Sequence, residues 1–99
     1  MNLQVVFHAT TFDELMRARR NLLNFRYAEP SAKLAIIANA GAVVGALENP
    51  DPSTDDSLSI CSNTLANSGQ TNYRGLYEIS SAVVEIARRQ ASGWQYIRS

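Results

Sequence analysis

Short apolar runs with little polar alternation recur along the chain, each followed by a stretch with helical periodicity, and this rhythm restricts the fold more than any other feature of the sequence. Leu3-Gln4-Val5-Val6-Phe7, Leu34-Ala35-Ile36-Ile37-Ala38 and Leu58-Ser59-Ile60 suit strands covered on both faces. Leu76-Tyr77-Glu78-Ile79 and Trp94-Gln95-Tyr96-Ile97 complete a set of five. Four helical segments lie between them. Strands that alternate with helices predict a single α/β domain over residues 1–99, with a mainly parallel five-stranded sheet and helices on both faces.

The first helix carries its own start and stop signals. Thr11 followed by Glu14 has the pattern of a capping box, and Asp13 and Glu14 place negative charge where the helix dipole favours it. Leu15, Ala18, Leu22 and Phe25 recur at helical spacing up to Pro30, which predicts a helix from Phe12 to Tyr27. Arg17, Arg19 and Arg20 are expected on a solvated face or an oligomer rim. Ala42 to Leu47 can form a short helix, with Gly41 and Gly45 marking close backbone approach. Thr64 to Asn67 reads as a brief helix capped by Ser62 or Asn63 and ended at Gly69. The last helix starts at Ser80 or Ser81, carries Val83, Val84, Ile86 and Ala87 as its apolar stripe, and stops at Gly93.

Charge narrows the partners. Nine basic and nine acidic residues leave no surplus for a nucleic-acid groove, and Lys33 is the only lysine. The balance is uneven along the chain. Residues 1–47 carry five basic and three acidic side chains, residues 48–56 four acidic and none basic, and residues 57–99 four basic and two acidic. The proline-bearing acidic segment is expected to be the least ordered; if it overhangs Cys61, it opposes anionic small substrates and favours a guided protein partner. The apolar run from Leu34 to Leu47 is too short to span a bilayer, and Met1-Asn2-Leu3-Gln4 lacks the basic start of a secretion signal, so no membrane partner and a cytoplasmic location are expected.

One cysteine and one histidine exclude an intramolecular disulfide framework and a thiolate zinc site, and the acidic residues show no ligand spacing. Neither a metal nor another cofactor is expected. In a parallel α/β sheet, ligands gather beyond the carboxyl ends of the strands, and His8, Asn39, Cys61 and Ser80 follow strands one to four. Cys61 stands between a strand and a helix start, where unpaired amides and the helix dipole favour a thiolate. The opposing view is that it is a small buried hydrophobe. Thr64 occupies the position of a second redox cysteine, and Ser62 to Asn67 hold no arginine to close a phosphatase loop. A thiolate that accepts and hands on a group remains, or one that does nothing. His8 is a candidate hydrogen-bond donor to it, and Asn39, Asn63 and Ser80 are weaker candidates for binding because they are also routine helix caps.

Cys61-Ser62-Asn63-Thr64-Leu65-Ala66-Asn67-Ser68-Gly69 resembles the cysteine-bearing stretch of DsrE/DsrF-like proteins. Val5-Val6-Phe7-His8, Ile36-Ile37-Ala38-Asn39-Ala40-Gly41-Ala42-Val43, Ala82-Val83-Val84-Glu85-Ile86-Ala87 and Gly93-Trp94-Gln95-Tyr96-Ile97 are similar to that family in order and spacing. The resemblance implies a three-layer α/β/α subunit, assembly into homotrimers or homohexamers, and a persulfide carried on Cys61 between sulfur donor and acceptor proteins. The arginine often found before the glycine is replaced by Ser68. A non-catalytic module of the same fold, acting in homo-oligomeric interaction or small-molecule binding, is the alternative.

Overall fold

The computed structural model describes residues 2–99; Met1, the first residue of the segment read for a leader, lies outside them. The strands are β1 (Gln4–Ala9), β2 (Lys33–Ala38), β3 (Leu58–Cys61), β4 (Tyr77–Ile79) and β5 (Gln95–Arg98). The helices are α1 (Phe12–Ala28), α2 (Gly41–Glu48), α3 (Ser62–Ser68) and α4 (Ala82–Ala91), with a short 3-10 turn at Asp55–Ser57. The strands form one sheet in the order β4-β3-β2-β1-β5, and every pairing is parallel.

That order and the handedness of parallel crossovers distribute the helices. From β1 to β4 each connection steps to the next strand in one direction, so right-handed crossovers place α1, α2 and α3 on one face. The step from β4 to β5 runs back across the sheet, which sends α4 over the opposite face. Side-chain alternation matches. Val5, Phe7 and Ala9 pack with Ile36, Leu58 and Ile60 under Leu15, Leu22, Val43, Leu47 and Leu65. Val6, Ile37 and Cys61 pack under Ala82 and Ile86 of α4, with Ile79 and Trp94 at the margin.

The helix starts follow the local chemistry, with differences. The Thr11 side chain accepts from the Glu14 N–H at 3.1 Å, as a capping box requires. Glu14 reaches one residue further than the motif predicts and accepts from the Thr10 N–H and hydroxyl. A Cβ on Gly45 would stand 2.8 Å from the Phe12 ring, so a larger residue there would push the exposed Phe12 side chain aside. On α4 the expected apolar stripe is displaced. Ala82 and Ile86 are buried, whereas Val83 is 66% and Val84 44% exposed, because one helix crossing the sheet alone buries only a narrow i, i+4 line.

Two expectations about charge are corrected. Arg19 is buried rather than solvated, its guanidinium lying 3.3 Å from Asp55 and 3.8 Å from Asp51. The acidic segment is pinned rather than loose. Asp55 also accepts from Arg74 at 2.6 Å and from the Asp51 N–H, Arg26 donates to the Ser53 carbonyl, and Thr54 is buried. Nor does the segment overhang the cysteine: α2 carries the chain from the carboxyl to the amino end of the sheet, and the acidic loop turns at that end before β3 runs back. The Ser53 hydroxyl, against a smaller opposing effect of burial, holds the Asp51 carboxyl below its ordinary range.

Asp55 thus joins α1, the acidic loop and the segment before β4. Removing one partner of a buried ion pair leaves the other charge uncompensated, at about 3–5 kcal/mol. Asp55→Ala is expected to lower the unfolding free energy by about 3 kcal/mol in urea titration, and Arg74→Ala, nearer the surface, by about 1–2 kcal/mol.

Candidate functional site

Neighbouring strands whose outgoing connections leave to opposite faces open a crevice at their carboxyl ends. In this sheet those neighbours are β3, which leads to α3 on one face, and β4, which leads to α4 on the other. Cys61 is the last residue of β3, pairs in register with Ile79 of β4, and projects to the α4 face. The single cysteine therefore sits at the switch point of the topology.

Cys61 is itself the residue that precedes the first turn of α3, displacing the expected caps Ser62 and Asn63 into the helix. Its backbone is extended, and its side chain makes no strict capping hydrogen bond. Several weaker polar contacts converge on it. Burial pushes the thiol up, but the backbone N–H of Thr64, the backbone N–H of Ala82, the Thr64 hydroxyl and the Asn63 N–H together outweigh it and hold the thiol below its ordinary value. Two helix starts contribute, Asn63 and Thr64 from α3 and Ala82 from α4. The thiol is nevertheless covered, with Cys61 only 5% exposed.

The remaining candidates fall on both sides. His8 does not serve Cys61: its ring Nδ1 lies 2.6 Å from the Tyr96 hydroxyl and its Nε2 2.9 Å from Asn39 Oδ1. The Asn39 carbonyl can only accept, so Nε2 carries a proton and, in the neutral ring, Tyr96 donates to Nδ1. His8 on β1 is two strands from β3, roughly 10 Å across the sheet. Asn39 follows β2 at the position next in register to Cys61, since Ala38 pairs with Ile60. Tyr96, His8, Asn39 and Cys61 thus form a row along the carboxyl edge, hydrogen-bonded over its first three members. Ser80 is exposed in the turn before α4, and Ser81, at the cap position, makes no side-chain cap bond. Asn63 contributes its backbone, not its exposed side chain.

Thr64 is the residue that sequence reasoning passed over except as a missing cysteine. Three positions beyond a cap residue is where a capping partner belongs, and that spacing was the available signal. Its Oγ1 accepts from the Ala40 N–H at 3.2 Å, which links the β2–α2 loop to the start of α3. Ala40 has φ 49° and ψ −137°, and the Ala42 N–H donates to the Asn39 carbonyl at 3.1 Å. This is a type II′ turn with alanine where glycine is favoured. Beside it a groove of about 400 Å³ runs between α2 and α3, lined by Ala40, Gly41, Val44, Thr64, Asn67 and Ser68. Ser62, next to the cysteine, donates to Glu78 at 2.9 Å, and Asn72 donates to the other oxygen of the same carboxylate. The Asn72 and Ser62 hydrogen bonds hold the Glu78 carboxyl below its ordinary value.

No protein-family model matches the chain, and no curated protein sequence matches it. Among the described residues, no helix is long and apolar enough to cross a membrane.

The geometry yields two expectations. A thiol whose folded value lies below its unfolded one releases its proton first in the folded chain, so the unfolded state binds more protons between the two values and stability rises with pH there. The stability of the native chain relative to Cys61→Ser should increase as pH rises from the folded value toward the ordinary thiol value of 9.0, and this contribution should vanish as pH falls through the folded value. Urea titrations across that window read it. Separately, Ala40→Gly relieves an unfavourable backbone state and should raise stability by about 0.5–1 kcal/mol, after the entropic cost of glycine.

Proposed function

We propose that the protein is a sulfur carrier that holds a persulfide on Cys61 and passes it between partner proteins. The supporting observation is the convergence of the α3 and α4 amides on a thiol at the switch point, which favours an anion there. The resemblance to DsrE/DsrF-like proteins points the same way. The Cys61 thiolate attacks the outer sulfur of a donor persulfide; the new S–S bond forms as the donor's bond breaks, and the donor leaves as a thiolate. Release reverses the step toward an acceptor thiol. No oxidant is consumed, because the sulfur keeps its oxidation state throughout the exchange.

With Cys61 5% exposed, the donor reaches the sulfur by displacing the turn at Ser80 and Ser81, which no cap hydrogen bond from the Ser81 side chain holds in place. Assembly of the subunits into a trimer or hexamer belongs to the same proposal. It would cover Tyr77, Val83 and Val84, which are exposed on the α4 side.

The alternative is that the burial of Cys61 makes it a packing residue of a non-catalytic binding module. One experiment separates the two. After incubation with a low-molecular-weight persulfide, native mass spectrometry should show trimers or hexamers whose subunits gain about 32 Da, one sulfur atom, in the native chain and not in Cys61→Ser. Monomers with an unmodified cysteine would reject both parts of the proposal.

A further inference from the structure

The carboxyl edge carries a second set of reactive side chains, apart from Cys61. α4 starts above the sulfur and descends to the amino end of the sheet, where Gly93 and Trp94 turn the chain into β5. The corner at the carboxyl ends of β1 and β5 is therefore left open on this face, and there His8 is half-buried and Tyr96 38% exposed. Register and side-chain alternation put both on the α4 face: Tyr96 pairs with Val6, whose side chain lies under α4, and His8 stands two residues further along β1. The Tyr96 hydroxyl donates to His8 Nδ1 at 2.6 Å, and His8 Nε2–H donates to Asn39 Oδ1 at 2.9 Å. A hydroxyl on one ring nitrogen, with the other nitrogen held by a third group, has the order of a nucleophile, its base and the base's orienter. Three separate segments, β5, β1 and the turn after β2, supply them.

We propose that Tyr96, His8 and Asn39 form an acyl-transfer site, with the Tyr96 hydroxyl as nucleophile, His8 as general base and Asn39 as the positioning residue that keeps Nδ1 free to accept a proton. The site works without Cys61. A phenol releases its proton more readily than an alkyl hydroxyl, so a neutral imidazole suffices as its base. The same property selects the donor. The group that leaves must be no stronger a base than the phenoxide that replaces it, which admits thioesters and aryl esters and rejects alkyl esters and amides. As the Tyr96 oxygen bonds to the acyl carbon, its proton passes to His8 Nδ1; the carbon–sulfur bond of a thioester then breaks, and the thiolate leaves with the proton from His8. Water, activated by His8, next attacks the acyl-tyrosine; the acid departs, and the phenoxide regains its proton. The net reaction is hydrolysis of the donor, without change of oxidation state. Arg98 is in register with His8, its side chain is 65% exposed, and its contact with Glu14 is loose at 3.5 Å, so it can turn toward the developing oxyanion.

Acetylation by p-nitrophenyl acetate, an aryl ester, tests the site when acid-quenched peptide mapping locates each acetyl group. Tyr27, 91% exposed, is the internal standard, since accessibility alone would acetylate it faster than Tyr96. General-base assistance is worth about 10²–10⁴-fold, so Tyr96 should react at least about a hundredfold faster than Tyr27 in the same native chain. With rising pH the rate at Tyr96 should reach a plateau once His8 is neutral, whereas Tyr27, which reacts through its phenolate, should keep accelerating. After removal of the ester, the acetyl group should be lost from Tyr96 before it is lost from Tyr27. His8→Gln, which retains hydrogen-bonding groups for Tyr96 and Asn39, should bring Tyr96 down to the rate of Tyr27. Asn39→Leu should lower the plateau at least about tenfold, and Asn39→Asp should restore it. Circular dichroism verifies that each variant is folded. Equal labelling or equal clearance of the two tyrosines in the native chain, or a folded His8→Gln chain that reacts as fast at Tyr96 as the native one, would overturn the acyl-transfer site. Acetyl groups found on Cys61 and on no tyrosine would overturn it as well, whatever the thiol does with sulfur.

Discussion

The handedness of parallel crossovers is the constraint from which the rest of the molecule follows. Three successive steps in one direction commit α1, α2 and α3 to one face, and the single return step commits α4 to the other. Two helix starts are thereby brought to the carboxyl ends of β3 and β4 from opposite sides of the sheet. A residue at the end of β3 on the α4 face has α3 ahead of it in sequence and α4 above it in space. Cys61 is that residue, and its sulfur is near amides that belong to both.

The same topology places the buried ion pairs away from Cys61. The acidic loop and the arginines that anchor it lie at the amino end, where Asp55 holds Arg19 and Arg74. The carboxyl edge carries the Tyr96–His8–Asn39 row, Thr64 and a groove without ionised side chains, together with the Glu78 carboxylate and the more exposed Glu14–Arg98 pair. The buried ion pairs and the thiol are consequently placed at opposite ends. The strained turn at Ala40 is the exception, a local rule broken beside the site rather than in the scaffold.

Much of the fold was legible in the sequence. The apolar runs identified the five strands to within one or two residues, the Thr11 and Glu14 spacing located α1, and Gly69 in the left-handed region ended α3 as expected. What failed depended on neighbours distant in sequence. Arg19 looks solvated until Asp51 and Asp55 are folded against it, and the stripe on α4 was misplaced because a lone helix buries fewer positions than a packed layer. Strand order could not be read from local patterns, so neither the separation of His8 from Cys61 nor the arrival of Ala82 above the sulfur was accessible. Thr64 was accessible through its spacing from Cys61, but only once Cys61 itself is recognised as the cap residue.

Whether converging amides outweigh burial at one thiol decides the charge state of Cys61. A pH titration of the Cys61 Cβ chemical shift in the folded chain, followed by carbon NMR, measures that competition without any partner or substrate. The predicted result is a midpoint below the ordinary thiol value of 9.0, with the titration moving up toward that value in urea. A folded-state midpoint at or above it would show that desolvation dominates, and would contradict the thiolate on which the proposed chemistry depends.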